Sequence, residues 1–327
     1  KSILIEANAL FFSDIPGYQT RLEASFRMPF GLDTRNTSFA AIQNSDALTG
    51  LEVKAHFAVP KMSAPPLTPS PVPMPPPPSA TPDPRSLFVY FYYSFLPLPE
   101  PMAVREADER VGYFTIARTD YTTDLSVKYK KHLITRWRLE KKDPSAALSE
   151  PVEPITWWIE NTTPVEFRET IKAAVLTWNI AFEKAGFKNA IRCEVQPDTA
   201  TWDAGDIRYN VLRWTSSPFP PFGGYGPSFV NPRTGQILGA DIMLEYVFFT
   251  NRLKQEKLFE EAGLNIVDEF PELHANNQIC DIGSYFTQAT QFGNVALSAY
   301  TASDLEKSDY IKQSLYYLVL HEVGHTF

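Results

Sequence analysis

The chain has 327 residues and a formal net charge of −8, with 44% hydrophobic and 21% charged residues. This length suits about two domains, and the composition supports packed cores and argues against wholesale disorder. The acidic excess argues against nucleic acid or an anionic membrane as the main partner, because both require a basic surface. No stretch of roughly 18 or more apolar residues is present, so no transmembrane segment is predicted.

The first half of the chain is predicted to be rich in β-structure, with a proline-rich interruption. The segments predicted as β-strands or short mixed elements are residues 2–10, 19–30, 51–59, 87–96, 110–115 and 131–139. Residues 60–84 are dense in proline and are interpreted as a surface loop, because proline fixes φ and donates no backbone hydrogen bond. A docking segment for an aromatic-lined groove is the alternative for this loop. The aromatic composition of residues 87–96 predicts a buried strand.

A domain boundary is predicted near residue 150, within the polar and proline-punctuated segment 141–154. Beyond it the pattern changes to alternating helices and strands, and the predicted strands are residues 155–160, 190–195, 207–212 and 237–245. The predicted fold class is therefore α+β, with a β-rich domain at residues 1–150 and an α/β domain at residues 151–327. The second domain is expected to contain a mixed, twisted sheet.

Three helices are predicted in the second domain. The first is long, with Thr163 as its N-cap, Pro164 at the first helical position and Gly186 at its C-terminal end. Residues 250–262 are predicted as the second helix. The third begins near Ser303 and leads into the histidines at the end of the chain.

The motif with the clearest chemistry is His321-Glu322-Val323-Gly324-His325, at the end of the last predicted helix. Residues four apart lie on one face of an α-helix, so both imidazoles can reach one metal ion. Zinc binds neutral imidazole nitrogen, and two histidines supply half of a tetrahedral shell. Glu322 projects near the same face and can act as a base towards a metal-activated water. The alternative is that the two histidines pack a helix face.

Several stretches follow one another in the order seen in a known protein family. They are DERVGYF at 108–114, RWRLEK at 136–141, WNIAFEKAGF at 178–187, DIRY at 206–209, GPS at 226–228, NPRTG at 231–235 and HEVGHT at 321–326. With this order, the chain resembles a bacterial family of zinc-dependent metalloproteases. In that family a β-rich N-terminal domain precedes a metzincin-like domain.

The resemblance implies the longer signature H-E-x-x-H-x-x-G-x-x-H followed by a methionine turn. His321, Glu322 and His325 match its first half, and the third zinc ligand is expected beyond Phe327. Residues 151–327 then form an incomplete metzincin-like domain with an active-site helix, expected to be inactive alone. The implied activity is zinc-dependent hydrolysis of protein or peptide substrates, with Glu322 as general base. An extracellular, periplasmic or cell-surface location is expected.

Further candidate residues lie upstream of the motif. Residues 237–245 match the place of the metzincin edge strand that borders the cleft, so Gly239, Ala240 and Asp241 are candidate substrate-binding residues. An ordinary sheet strand has the same pattern. Cys193 and Cys280 could form a disulfide, but two buried thiols are the favoured interpretation.

Alternatives remain for the ligand set and for the function. His274 is a less favoured candidate for the third ligand, and no serine–histidine–aspartate arrangement stands out in the sequence. A binding or scaffold protein with a relic zinc-peptidase domain is the main alternative to an enzyme. A further alternative is that the N-terminal half is an inhibitory prosegment that covers the cleft.

Overall fold

The structure is a computed structural model, and it describes residues 3–61, 77–78, 81–122, 129–216, 224–245, 289, 292–293, 296 and 304–327. Helices and several β-sheets occur together, so the predicted α+β class with a β-rich N-terminal region is confirmed. The chain divides into two compact units, one formed mainly by Lys1–Leu98 and one that starts at Pro99. The two units are described separately.

The first unit is an antiparallel sheet with two short helices. Its elements are α1 (Asn8–Phe11), α2 (Tyr18–Phe26), β1 (Gly31–Leu32), β2 (Ser38–Asn44), β3 (Thr49–Ala58) and β4 (Ser86–Phe95). β3 is central, since β4 pairs with one of its edges and β1 and β2 pair with the other. Ala55 and Phe57 on one face of β3, with Val59 just after it, form the core of this unit together with Leu22 and Phe30.

The strand predicted at residues 87–96 is present as β4, but the prediction that it is buried is wrong. Leu87, Val89 and Phe91 pack against the core, whereas Phe88 and Tyr90 on the other face are 48% and 55% exposed. Alternation of side chains along a strand places successive residues on opposite faces, and only one face of β4 is covered in the described chain. The aromatic composition of the segment did not reveal that one face of the strand is covered and the other is exposed.

The two earliest predicted segments contain helices instead of strands. Residues 19–30 lie mostly in α2, whose first turn is fixed by Asp14, because its carboxylate accepts hydrogen bonds from Tyr18 N at 2.7 Å and Gln19 N at 2.9 Å. Carboxylate acceptors at a helix start satisfy amides that have no partner within the helix. Residues 2–10 likewise run into α1.

A two-stranded hairpin, β5 (Thr115–Thr119) with β6 (Lys130–Ile134), lies near the start of the second unit. The chain after it remains with this unit, because Arg136 bridges to Gln236 and Ser149 bridges to Phe187. Trp137 also packs against the core of the second unit. The division at Leu98 therefore differs from the boundary predicted near residue 150, which was inferred from local composition.

The second unit is built on a six-stranded mixed sheet. Its strands are β7 (Ile155–Ile159), β8 (Ile191–Val195), β9 (Asn210–Thr215), β10 (Gly224–Tyr225), β11 (Ser228–Val230) and β12 (Ile237–Glu245). The spatial order is β8, β7, β9 and β12, with β10 and β11 beyond β12. The first four strands are parallel, whereas β10 and β11 pair antiparallel with β12.

Three helices of the second unit are described: α3 (Val165–Thr177), α4 (Asn179–Lys184) and α5 (Asp304–Gly324). The predicted long helix is interrupted at Trp178, which separates α3 from α4. Thr163 is not its N-cap. That position is taken by Pro164, which has an extended backbone, and no side chain of the described residues caps the helix. Gly186 follows α4 with a φ of +90°, a conformation that glycine adopts at little cost.

The core of the second unit lies between the sheet and the pair α3 and α5. Its fully buried side chains include Trp157, Ile159, Ile171, Val175, Leu212, Ile242, Leu244, Leu315, Val319 and Val323. Burial of one such aliphatic side chain stabilises the fold by about 1.5–3 kcal/mol relative to exposure. The buried apolar side chains of α5 therefore fix the rotation of this helix about its axis. That rotation also determines where the other side chains of α5 point.

Two predicted strands start later than expected, for the same local reason. In the chain before β9, Asp206 accepts a hydrogen bond from Arg208 N at 3.1 Å and forms an ion pair with the Arg208 guanidinium at 2.6 Å. Asp108 and Arg110 form the same pair before β5. Aspartate side chains that bond the backbone two residues on favour turns, so both strands begin after these turns.

Some predictions fall outside the part of the chain that the structure describes. They are the helix at residues 250–262, most of the proline-rich segment 60–84, His274 and Cys280. Among the described helices, none combines the length and apolar character of a membrane-spanning segment.

Candidate metal centre

The two candidate ligands, His321 and His325, are brought together by α5. Their ring centroids lie 4.5 Å apart, with the ring planes at 87°. His325 N donates to His321 O at 3.3 Å and to Glu322 O at 3.2 Å, so the backbone keeps a helical path through the motif. The four-residue spacing therefore gives the adjacency that the sequence predicts.

The C-terminal end of α5 is held by two tryptophans from distant parts of the second unit. Trp178 Nε1 donates to Leu320 O at 2.9 Å, and Trp137 Nε1 donates to Thr326 O at 2.6 Å. Leu320 lies in the last turns of α5, and Thr326 lies two residues beyond its end. Phe327 packs edge-on against Trp178, with ring centroids 5.1 Å apart. The indoles thus fix the turn that carries His325.

Glu322, which follows His321 in the sequence, is buried. Its residue is 1% exposed, and Oε1 has no hydrogen-bond partner among the described residues. Burial raises the pKa of this carboxyl to about 7, because removal from water disfavours the charged form. Burial of a carboxylate without a partner is costly, and such perturbed groups cluster at functional sites.

The surroundings of both histidines favour the neutral form of imidazole. Burial lowers the pKa of His321. Burial also lowers the pKa of His325, and the positive charge that His321 can carry lowers it further. Neutral imidazole is the metal-binding form.

The surroundings of His325 fit a nitrogen ligand. Its Nε2 is buried and has no hydrogen-bond partner in the described chain. Its ring stacks on Phe114, with centroids 5.5 Å apart and planes at 22°. An orphaned imidazole nitrogen, next to a second histidine and a buried carboxylate, suits zinc, which prefers nitrogen and sulfur ligands.

No group of three or more histidine, cysteine, aspartate or glutamate side chains is placed to hold a metal within the described ranges. The structure thus brings together two candidate ligands and one candidate base. Of the other histidines, His132 is exposed on β6, and His56 lies in the first unit. The third ligand stays a prediction.

The prediction that residues 237–245 form an edge strand is wrong, although the strand itself is confirmed as β12. One of its edges pairs with β9, and the other pairs with β10 and β11. Ala240 N donates to Asn210 Oδ1 at 3.0 Å, and Asp241 N donates to Pro227 O at 3.0 Å. Gly239 lies against the backbone of Ile207, where an added Cβ would come within 2.6 Å of a carbonyl oxygen.

These contacts change how the three candidate substrate residues are interpreted. All three residues contact neighbouring parts of the second unit. The backbone amides of Ala240 and Asp241 already donate hydrogen bonds there. An extended peptide could not add to β12 at these positions, because a new strand requires free backbone groups.

Sequence reasoning missed the residues that support the motif. Phe114, Trp137 and Trp178 all belong to stretches that carry the family resemblance, but no spacing rule links them to α5. Cys193 is a buried free thiol, and burial raises its pKa to about 12. That environment agrees with a structural thiol and not with a metal ligand or nucleophile.

Comparison with known proteins gives one partial match. Residues 1–142 are similar to a family described as a domain of unknown function, DUF5117. No curated protein and no solved structure matches the chain. The matched range includes the whole of Lys1–Leu98, the hairpin β5–β6 and the segment that contains Phe114 and Trp137.

Proposed function

We propose that this chain carries the ligand helix of a zinc-dependent endopeptidase of the metzincin type. The observation that carries the proposal is the pair of histidine rings on α5, 4.5 Å apart, beside the buried Glu322 carboxylate with its unpartnered Oε1. A helix face that served only for packing would expose or pair this carboxylate, since an unpaired buried charge destabilises a fold.

The order of elements around the helix supports the same proposal. A strand, a helix and then strands precede α5, which agrees with the alternating helices and strands predicted beyond residue 150. α3 and α5 pack together against one sheet, which places the histidines at a fixed position relative to the strands. Fold similarity alone does not establish an activity, so the proposal depends on the side chains of the motif.

Each residue has a defined part in the proposed reaction. Bound zinc would polarise the scissile carbonyl and lower the pKa of a water molecule. His321 and His325 would supply two of the ligands. Glu322 Oε1 would accept a proton from the attacking water and deliver it to the leaving amide nitrogen. The water oxygen would bond to the carbonyl carbon as it loses this proton, and the C–N bond would break as the nitrogen receives it, so atoms and protons balance.

The test is the substitution Glu322→Gln, in a chain that extends through the third ligand predicted beyond Phe327. Glutamine keeps the size of the side chain but cannot accept the proton. We expect peptide hydrolysis to fall by about 10²–10⁴-fold, the usual contribution of a general base, with stoichiometric zinc retained. Glu183→Gln, on the exposed surface of α4, is the control and should retain full activity. Undiminished hydrolysis in Glu322→Gln would contradict the assignment of the base.

The same measurements separate the enzyme from the two alternatives. A scaffold protein with a relic domain would show neither stoichiometric zinc nor hydrolysis that a chelator abolishes. An inhibitory N-terminal half would show zinc binding, with hydrolysis that increases when that half is removed by limited proteolysis.

A further inference from the structure

The first unit contains a serine, a histidine and an aspartate joined in series by hydrogen bonds. His56 Nδ1 lies 3.2 Å from Asp33 Oδ2, and His56 Nε2 lies 2.8 Å from Ser86 Oγ. Asp33 follows β1, His56 lies in β3 and Ser86 begins β4, so three separate strands bring the residues together. The residues are 23 and 30 positions apart in sequence, which explains why no motif revealed them.

The direction of the hydrogen bonds follows from the aspartate. Asn36 Nδ2 donates to Asp33 Oδ2 at 2.6 Å and Arg35 N donates to Asp33 Oδ1 at 3.1 Å. These donors, the Asn36 side chain foremost, and the nearby His56 hold the pKa of Asp33 below its usual value. An ionised carboxylate only accepts hydrogen bonds, so Nδ1 of His56 carries the proton. In the neutral imidazole, Nε2 can then accept a hydrogen bond from Ser86 Oγ.

We propose that Ser86, His56 and Asp33 form a second catalytic centre, in which Ser86 is a nucleophile for acyl transfer. A hydroxyl bonded to an imidazole that a carboxylate orients is the arrangement that activates serine in hydrolases on unrelated folds. The assignment does not depend on the metal centre, since all three residues lie in the first unit.

The histidine is held rigidly, as a base in such a centre must be. His56 is 8% exposed, and its ring stacks on Phe88 with centroids 4.5 Å apart and planes at 23°. Its backbone amide donates to Thr37 Oγ1 at 3.1 Å, and its carbonyl accepts from Asp33 N at 2.8 Å. Fixed orientation of the base lowers the entropic part of the barrier.

Ser86 is reachable from the uncovered face of the sheet. It is partly exposed, and it pairs with Ala58 in the register that places Phe88 opposite His56. Ser86, Phe88 and Tyr90 alternate onto the same face of β4, and the two aromatic side chains are about half exposed. The Lys54 ammonium lies 4.5 Å from the centroid of the Phe88 ring.

This surface indicates the class of substrate. Exposed aromatic side chains next to the nucleophile favour an apolar or aromatic acyl group, which would lie on Phe88 and Tyr90. We therefore assign carboxylic esters with such acyl groups as the substrates. In the reaction, Ser86 Oγ bonds to the acyl carbon while its proton moves to His56 Nε2. The alcohol leaves with that proton, and water releases the acid by the same steps in reverse.

The competing explanation is that the three residues only link β1, β3 and β4. Reaction with an active-site reagent separates the two explanations, because hydrogen-bonded structural serines do not react with phosphonylating probes. The experiment uses the full chain with a chelator present, so that no metal-dependent reaction contributes. The probe is a fluorophosphonate, and labelling is followed by intact-protein mass spectrometry and peptide mapping.

We expect one label per chain, located at Ser86, and no labelling of Ser86→Ala. Asp33→Asn should slow labelling by at least about a hundredfold, since it removes the group that fixes the histidine tautomer. Ser94→Ala is the matched control, because Ser94 is partly exposed on the same strand and face, and it should label like the unaltered chain. Hydrolysis of p-nitrophenyl esters should follow the same order.

Two results would overturn the proposal. One is a labelling rate for Ser86→Ala equal to that of the unaltered chain, and the other is an unaltered chain that takes up no label. Circular dichroism and thermal unfolding show whether each variant folds. If Asp33→Asn does not fold, Ser86→Ala still decides the question, because it removes only a partly exposed hydroxyl.

Discussion

The ring of Phe114 lies over the imidazole of His325, with centroids 5.5 Å apart and planes inclined by 22°. Phe114 is itself anchored, because its carbonyl accepts hydrogen bonds from Thr135 N at 2.8 Å and Thr135 Oγ1 at 3.3 Å. A residue far upstream of α5 therefore restrains the orientation of a candidate metal ligand. Loss of a group that orients a ligand typically lowers metal affinity by about 10–100-fold.

Phe114→Ala is predicted to weaken zinc binding by about 10-fold or more, because the imidazole of His325 loses its stacking partner. The unfolding free energy should fall by about 0.5–1.5 kcal/mol, the contribution of an aromatic pair. Competitive titration with a zinc indicator measures the first effect, and chemical denaturation measures the second.

Tyr113→Ala is the control for Phe114→Ala, because Tyr113 is the exposed neighbour and forms no hydrogen bond or ring contact with α5 among the described residues. Faster peptide hydrolysis by Phe114→Ala, with unchanged zinc affinity, would contradict the orienting role. That outcome would instead favour the inhibitory alternative for the N-terminal half.

Gly324→Ala is predicted to disturb the motif through Trp178. A Cβ at residue 324 would lie 2.7 Å from Trp178 Cζ2 and 3.2 Å from Cη2, so either the indole or the end of α5 must move. Movement of the indole would strain its 2.9 Å hydrogen bond to Leu320 O. Overpacking of this kind costs roughly 1–3 kcal/mol, measurable by denaturant unfolding.

Gly112→Ala provides the comparison for Gly324→Ala, because an added Cβ there meets no atom within 4 Å. It should leave the unfolding free energy within about 0.5 kcal/mol of the unaltered chain. Equal effects of the two substitutions would show that Trp178 does not confine this position.

Asp241→Asn is predicted to change the pH dependence of stability. Burial raises the pKa of Asp241 to about 7, while the Val211 amide and Arg213 oppose this shift. Between an unfolded pKa near 4 and this folded value, the folded chain binds more protons than the unfolded chain. The unfolding free energy therefore falls as pH rises through this window.

Asparagine cannot ionise but can still accept the hydrogen bond that Val211 N donates to Asp241 Oδ1 at 3.2 Å. Relative to the unaltered chain, Asp241→Asn should gain stability between pH 4 and pH 8, on the order of 1–3 kcal/mol after allowance for partial exposure. Asp198→Asn, at an exposed position, is the control. The contradicting result is a difference in unfolding free energy between Asp241→Asn and the unaltered chain that is the same at pH 4 and at pH 8. That result would refute the raised pKa of Asp241.

The spacing of apolar residues in the sequence correctly predicted the helices and strands in which buried side chains recur at a regular interval. β12 has the predicted bounds, and α5 begins beside the predicted start, because each carries apolar residues at the period of its own geometry. The four-residue spacing of His321 and His325 is likewise a property of one helix, so their adjacency could be inferred without tertiary information.

Features set by distant contacts could not be inferred in this way. The pairing of β12 on both edges depends on where β10 and β11 return, so the sequence pattern did not reveal that Asp241 is enclosed. The hydrogen-bonded series of Asp33, His56 and Ser86 depends on the register between three strands. The support of α5 by Trp137 joins residues 189 positions apart.

The most direct test of the metal centre is calorimetric titration of zinc into the metal-free chain, extended through the third ligand predicted beyond Phe327. We predict one zinc ion per chain, with affinity reduced at least about 10-fold in His321→Ala and in His325→Ala, because each loses a ligand nitrogen. His132→Ala removes an exposed histidine of β6 and should bind zinc like the unaltered chain. Zinc binding that is unchanged in the His321→Ala, His325→Ala double variant would contradict the account.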